Sequence, residues 1–264
     1  MLKTLIAVEA DLASRMAIRY ACQLGRPADL EINTIHIIQP EDHGDSPGTG
    51  WVHQTWEDAV IQKTKNEISQ MVKSEQASSR ILSPPQVVTG NRDQQITGEL
   101  KFSHYDFFTE GIFHSFEPVD FFKKIRSPLY KDLPCPALMV KNWVSLTKGI
   151  LFISESSTLD HYIKLFLKIF HTHSIEPEIL LCKFDKKSSS SRKIDNSPQL
   201  VQPIEQILGS QGLNVKNIIT VEGSVSALIP LVSDYSLILS SVPDEKSQMA
   251  KLLSKSPCSI LFCP

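Results

Sequence analysis

Hydrophobic and polar positions along this chain switch repeatedly between two rhythms, short apolar runs and apolar residues at helical spacing. Leu2 to Val8 is nearly continuous in apolar residues, as a strand buried on both faces of a parallel sheet should be. Asp11 follows as a helix N-cap, ahead of Leu12, Ala13, Met16, Ala17, Tyr20, Ala21 and Leu24 at helical spacing, with Gly25 and Pro27 as the stop. Glu31 to Gln39 alternates around Ile32, Ile35, Ile37 and Ile38 and predicts a second strand. Pro40 to Gly50, rich in Gly, Pro and Asp, predicts a loop at the strand ends. Trp56 to Gln76 is a long polar helix with a thin apolar seam through Ala59, Val60, Ile68, Met71 and Val72, so it covers the sheet with one stripe. Gln86 to Thr89 predicts a third strand and Gln94 to Phe102 a short helix. Tyr105 to Thr109 is a strand running into Gly111, Phe121 to Leu133 a helix, and Ala137 to Val140 a last buried strand. Such alternation argues a parallel sheet with helices on both faces and right-handed crossovers.

The same pattern then starts again. Lys148 to Ile153 mirrors Lys3 to Val8, and Thr158 to Phe170 follows as an amphipathic helix. Pro177 to Phe184 predicts a strand, Ser188 to Ser191 a solvated loop, Pro198 to Leu208 a helix and Val215 to Val221 a strand. Ser224 to Val232 predicts a helix that Pro230 distorts or ends, and Tyr235 to Leu239 a strand. Pro257-Cys258-Ser259-Ile260-Leu261-Phe262 echoes Pro134-Cys135-Pro136-Ala137-Leu138-Met139. An internal repeat of this size predicts two similar domains, residues 1–143 and 147–264.

Composition narrows the function classes. The net charge of −2 gives no electrostatic argument for nucleic acid or an anionic membrane. Five cysteines without C-x-x-C spacing fall inside predicted helices and strands, which points to reduced thiols and a cytoplasmic chain. The first residues are too short a run, interrupted by Glu9 and Asp11, for a signal peptide, and no run approaches the roughly 20 apolar residues of a membrane span.

The order strand, glycine turn, helix, strand from Tyr105 to Val140 resembles the closing half of a universal stress protein domain. The resemblance rests on that order, on Gly111, and on the two Pro-Cys strands. It implies two tandem Rossmann-like domains of the adenine nucleotide alpha hydrolase-like type, each a mostly parallel five-stranded sheet with helices on both faces. Nucleotide-binding members carry Gly-x2-Gly-x9-Gly-[Ser/Thr] after the fourth strand and an acidic residue at the end of the first. Gly111 matches the first glycine, His114 stands at the second, and Lys123-Lys124 stand about where the third belongs. Glu9 occupies about the position of the family's aspartate, with Asp11 following. The resemblance thus nominates Glu9, Gly111, His114 and Lys124 for cofactor binding. Against that, Glu9 and Asp11 are explained by solvent exposure and helix capping. Lys123, Lys124 and Arg126 are explained as the solvated face of a helix, or as point charges replacing lost phosphate donors. In the second half Ser154 and Glu155 replace the acidic pair, and Ser240-Ser241-Val242-Pro243-Asp244 contains no glycine, so that half is not expected to bind ATP in the family manner.

Catalysis finds no support, because the eight histidines are scattered and no G-x-S-x-G elbow, P-loop or G-x-G-x-x-G follows either first strand. His171 and His173, at a predicted helix end, lack further ligands at coherent spacing for zinc. The leading expectation is a non-enzymatic stress-response protein, without catalytic residues or cofactor, acting by binding a partner or small ligand. The alternative is an ATP-binding member with its site in the first domain and weak ATPase activity. Ala137 to Val140 and Ser259 to Phe262 are too apolar for open sheet edges, so they are expected to pair with each other inside the chain, and a homodimer is the further assembly this family allows.

Overall fold

The computed structural model describes residues 2–24, 30–39, 51–75, 83–112, 119–142, 148–153, 159–170, 176–185, 190–194, 198–210, 212 and 217–264. By packing, the chain divides into a first unit, Met1–Phe113 with Ser127–Trp143, and a second, His114–Arg126 with Val144–Cys263.

The first unit alternates strands and helices. They are β1 (Leu2–Ala7), α1 (Leu12–Leu24), β2 (Leu30–Ile38), α2 (Trp51–Glu75), β3 (Gln86–Thr89), α3 (Arg92–Ser103) and β4 (Phe107–Gly111). Two short helices come next, α4 (Val119–Arg126) and α5 (Pro128–Lys131), and then β5 (Ala137–Val140). The strands lie in the order β3-β2-β1-β4-β5 and every neighbouring pair is parallel. Because chain order reverses between β1 and β4, the crevice beyond their carboxyl ends is the topological switch point, where open α/β sheets take ligands. Leu5, Ile6, Ile32, Phe108 and Ala137 are fully buried on this sheet, as the continuous apolar runs require.

Neighbouring residues on β4 show that helices cover both faces. A Cβ placed on Gly111 meets the backbone of Ala13 in α1, whereas the Glu110 carboxylate reaches Arg92 of α3. Successive residues of a strand point to opposite sides, so α1 lies on one face and α3 on the other. Sequence alone placed β4 at Tyr105 to Thr109. In the structure Asp106 closes the strand's start, its amide donating to the Lys3 carbonyl and its carboxylate accepting from the Lys3 amide at 2.7 Å. The strand therefore runs later and takes in Glu110.

Glu110 is 1% exposed, and a carboxylate at that depth needs a partner. Arg92 provides it, Nη2 to Oε2 at 2.6 Å, with Asp93 at 3.6 Å from the same guanidinium. Burial works against the charge on Arg92, and Glu110 with Asp93 outweighs it, so its pKa is raised. Tyr130 of α5 packs beside the pair, and burial followed by the Glu110 charge pushes its phenol well above its ordinary value.

The expected helix from Phe121 to Leu133 is two helices. Pro128 cannot continue the helix before it, and the Ser127 hydroxyl caps the next one by accepting from the Tyr130 amide. The break has a packing consequence. α4 groups with the second unit, where Phe121 lies 6.3 Å from the Phe262 ring and Arg126 pairs with Glu245, while α5 stays with the first.

The second unit holds β6 (Lys148–Ile153), α6 (Leu159–Phe170), β7 (Glu176–Phe184), β8 (Arg192–Ile194), α7 (Pro198–Ser210) and β9 (Ile218–Gly223). It continues with α8 (Val225–Ser233), β10 (Leu237–Ser241), α9 (Gln248–Lys255) and β11 (Ser259–Cys263). Its parallel strands lie in the order β11-β10-β6-β7-β9, which repeats the order of the first unit. One strand is added: β8 runs antiparallel along β9, where Arg192 Nε donates to the Glu222 carboxylate at 2.8 Å. Helix α8 continues through Pro230 to Ser233, because Leu228 and Val232 are both at 0% exposure and their burial outweighs the missing backbone bond. Helix α9, which the sequence pattern did not predict, starts at Ser247, whose hydroxyl accepts from the Ala250 amide at 3.0 Å.

Glu110→Gln is expected to destabilise the chain by about 3 kcal/mol by leaving the half-buried Arg92 without its main counter-charge, and the double replacement Glu110→Met with Arg92→Met to restore most of that, both read from urea unfolding. The five cysteines are free thiols, and burial pushes those of Cys135, Cys182 and Cys263 up to about 12. Alkylation at neutral pH is therefore expected to be slow in the native protein and complete after denaturation, which mass spectrometry of the two samples checks.

Candidate functional site

The crevice between β1 and β4 of the first unit is assembled from the turn after β1 and the last residues of β4. Asp11 caps α1 as its sequence position predicts, with Oδ1 accepting from the Ser14 amide at 2.8 Å. The Ser14 hydroxyl in turn accepts from the Glu9 amide at 2.7 Å, which ties the turn to the first turn of the helix. Glu9 keeps 49% of its side chain exposed, and its carboxylate stands 3.2 Å from His36 Nδ1 at the end of β2. The same nitrogen lies 2.8 Å from the Val8 carbonyl. A carbonyl only accepts, so Nδ1 carries the proton and the ring bridges the ends of β1 and β2.

Gly111 lies opposite the first turn of α1. A Cβ there would stand 1.9 Å from the Ala13 carbonyl oxygen and 2.3 Å from its carbon, both backbone atoms that cannot turn aside. The glycine is thus required for the close approach of helix to strand. Just beyond it, the Ile112 amide donates to the Val140 carbonyl at 2.9 Å, so the first backbone donor after the glycine continues the ladder to β5. A phosphate cradle needs such amides turned toward the ligand.

The remaining nominated residues stand elsewhere. His114 lies outside the described residues, as do Ser154, Glu155, His171 and His173. Lys124 is half-buried on α4, which groups with the second unit, whereas Glu9 and Gly111 belong to the first. Lys123 and Arg126 are exposed on the same helix. In the second unit the segment after β10 is occupied by its own turn. Asp244 Oδ1 accepts from the Lys246 amide at 2.8 Å, and the Asp244 carbonyl accepts from the Ser247 hydroxyl at 2.6 Å.

The structure also brings together groups that sequence reasoning passed over. Glu75, the last residue of α2, is 4% exposed, and its carboxylate accepts from Arg15 Nη1 at 3.0 Å and from Arg19 Nε. A signal for it was present: Glu75 follows Ile68, Met71 and Val72 at spacings of seven, four and three, on the buried stripe of its helix. Beside this clamp an open cleft of about 450 Å³ lies between α1 and α2, lined by Ala10, Arg15, Glu67, Gln70, Met71 and Ser74. Among the described residues no His, Cys, Asp and Glu group is placed to hold a metal ion, and no helix is long and apolar enough to cross a membrane.

No protein-family model matches the chain, and no curated protein does. Solved structures do. A universal stress protein from Archaeoglobus fulgidus DSM 4304 superposes with a TM-score of 0.66 at 14% identity, over 99% of this chain and 95% of that one. A protein of unknown function from Pseudomonas aeruginosa PAO1 superposes with a TM-score of 0.55 at 14% identity, over 99% and 92%. At this identity the likeness establishes the fold, and the chain has the Rossmann-like universal stress protein fold over 99% of its length.

Proposed function

We propose that the chain is a non-enzymatic, universal stress protein-like protein of the cytoplasm that acts by binding a partner or a small ligand. It is built of two domains, 1–143 and 147–264, and takes no nucleotide. The observation that carries this reading is at Gly111, where the space above the glycine is filled by the Ala13 backbone and the next amide is bonded to Val140. A glycine held for helix packing, followed by an amide held in the sheet, leaves neither Gly111 nor the Ile112 amide to cradle a phosphate. Glu9 stands 3.2 Å from His36 Nδ1 at the end of β2.

Titration of the whole chain with ATP tests this. No saturable signal is expected at millimolar ATP, and saturation with a Kd below about 1 mM would instead support the nucleotide-binding alternative with its site in the first domain. Gly111→Ala separates the two roles of the glycine: it is expected to lower stability by about 2 kcal/mol through overlap with Ala13, with or without ATP present.

Within the same proposal, β5 and β11 cover one another as an intramolecular pair. All residues of both strands are buried, and each has one parallel neighbour in its own unit, β4 and β10 respectively. An apolar strand edge left open to water would invite association. Cleavage engineered into the segment 143–147 is expected to leave the two fragments co-eluting in size exclusion; separation into free fragments would rule the pairing out.

A further inference from the structure

We propose that the cleft between α1 and α2 binds a small amino-acid-like zwitterion, its carboxylate on Arg15 and its ammonium group on Glu67, with an apolar side chain laid against Met71. This deepens the reading of the chain as a small-ligand-binding protein and rests on it. The geometry follows from helical spacing. Glu67, Gln70, Met71 and Ser74 recur at three, four and seven residues, so they form one face of α2, and Ala10 and Arg15 line the opposite side. The cleft's volume of about 450 Å³ falls within the range that small-molecule sites occupy.

The charges select the ligand class. Arg15 donates to Glu75 from one terminal nitrogen, and a guanidinium carries five N–H donors in a fork that fits a carboxylate. Arg19 also donates to Glu75, so the buried carboxylate keeps a partner while Arg15 engages a second one. Glu67 lines the same cleft, with 55% of its side chain exposed and Lys63 at 4.0 Å, the outer limit of an ion pair. A purely anionic ligand meets repulsion from Glu67, and a purely cationic one meets repulsion from Arg15. A molecule bearing both charges satisfies both. Met71 is 6% exposed at the base of the cleft, and its flexible thioether adapts to an apolar group. The Ser74 hydroxyl donates to the Met71 carbonyl, which leaves its oxygen as an acceptor beside the bound ligand.

The test is an amide-resolved NMR titration of the whole chain with L-methionine, with N-acetyl-L-methionine, which is only anionic, and with L-methionine methyl ester, which is only cationic. Saturable shifts at Ala10, Arg15, Gln70, Met71 and Ser74 are expected with L-methionine, and binding at least roughly tenfold weaker with either blocked form. Glu67→Gln, at an exposed position that does not endanger folding, is expected to abolish the preference for L-methionine over its N-acetyl form. Absence of saturation, equal affinity for the three compounds, or shifts mapping away from these residues would overturn the proposal. ATP in the same titration distinguishes the failures: saturable ATP binding would overturn the underlying reading, whereas loss of zwitterion binding without ATP binding would overturn this site alone.

Discussion

Helix α1 approaches the end of β4 so closely that a side chain at position 111 would stand 1.9 Å from the Ala13 carbonyl oxygen. Much of the first unit depends on that contact. It sets the height of α1 above the sheet, and with it the position of Asp11, whose carboxylate caps the helix, and of Ser14, which holds the Glu9 amide. Beneath the helix the Thr4 and Thr109 hydroxyls meet at 3.1 Å, satisfying each other in a buried layer. From the same helix Arg15 and Arg19 reach out to Glu75, so the placement of α2 follows from the placement of α1. At the switch point the end of β4 is packed against α1, and among the described residues an open cleft lies between α1 and α2.

The opposite face of β4 is organised by charge. Glu110 lies one residue before the packing glycine, and Arg92 and Tyr130 enclose it from α3 and α5. A charge buried in a strand end is tolerated only with a counter-charge in place, so the first turn of α3 is held against β4. Gly90, with φ of +133°, makes the sharp exit from β3 that brings Asn91 to the N-cap and Arg92 to the first helical position. The two faces of one strand thus use different physics, steric closeness on one side and ion pairing on the other.

The break between α4 and α5 shows how one residue redistributes a fold. With Ser127 capping α5 and Pro128 unable to continue α4, the segment from Val119 to Arg126 is released to pack with Phe262 and Glu245, while Leu129 and Tyr130 remain buried in the first unit. Periodicity merged the two helices because both carry apolar residues at compatible spacing. The proline marked the break, but a proline is also tolerated within helices of this chain, at Pro203 and Pro230.

What the sequence determined by itself is most of the succession of elements, with ends that shift by a few residues where, as at β4, a long-range contact sets them. Strand runs such as Ala137 to Val140, the cap at Asp11 and the restart at Lys148 are encoded within a few neighbouring residues, because strand and helix periods and capping bonds are local. Helix α9 escaped because eight residues with half of them polar give too short a pattern to separate from a turn. The tertiary structure alone decided the roles. Whether Gly111 faces a ligand or a helix backbone, and whether Glu110 and Glu75 are solvated or paired, depends on partners 18 to 98 residues away in the chain. Steric closeness and charge pairing are properties of distances in space, and no local pattern of residue types carries them.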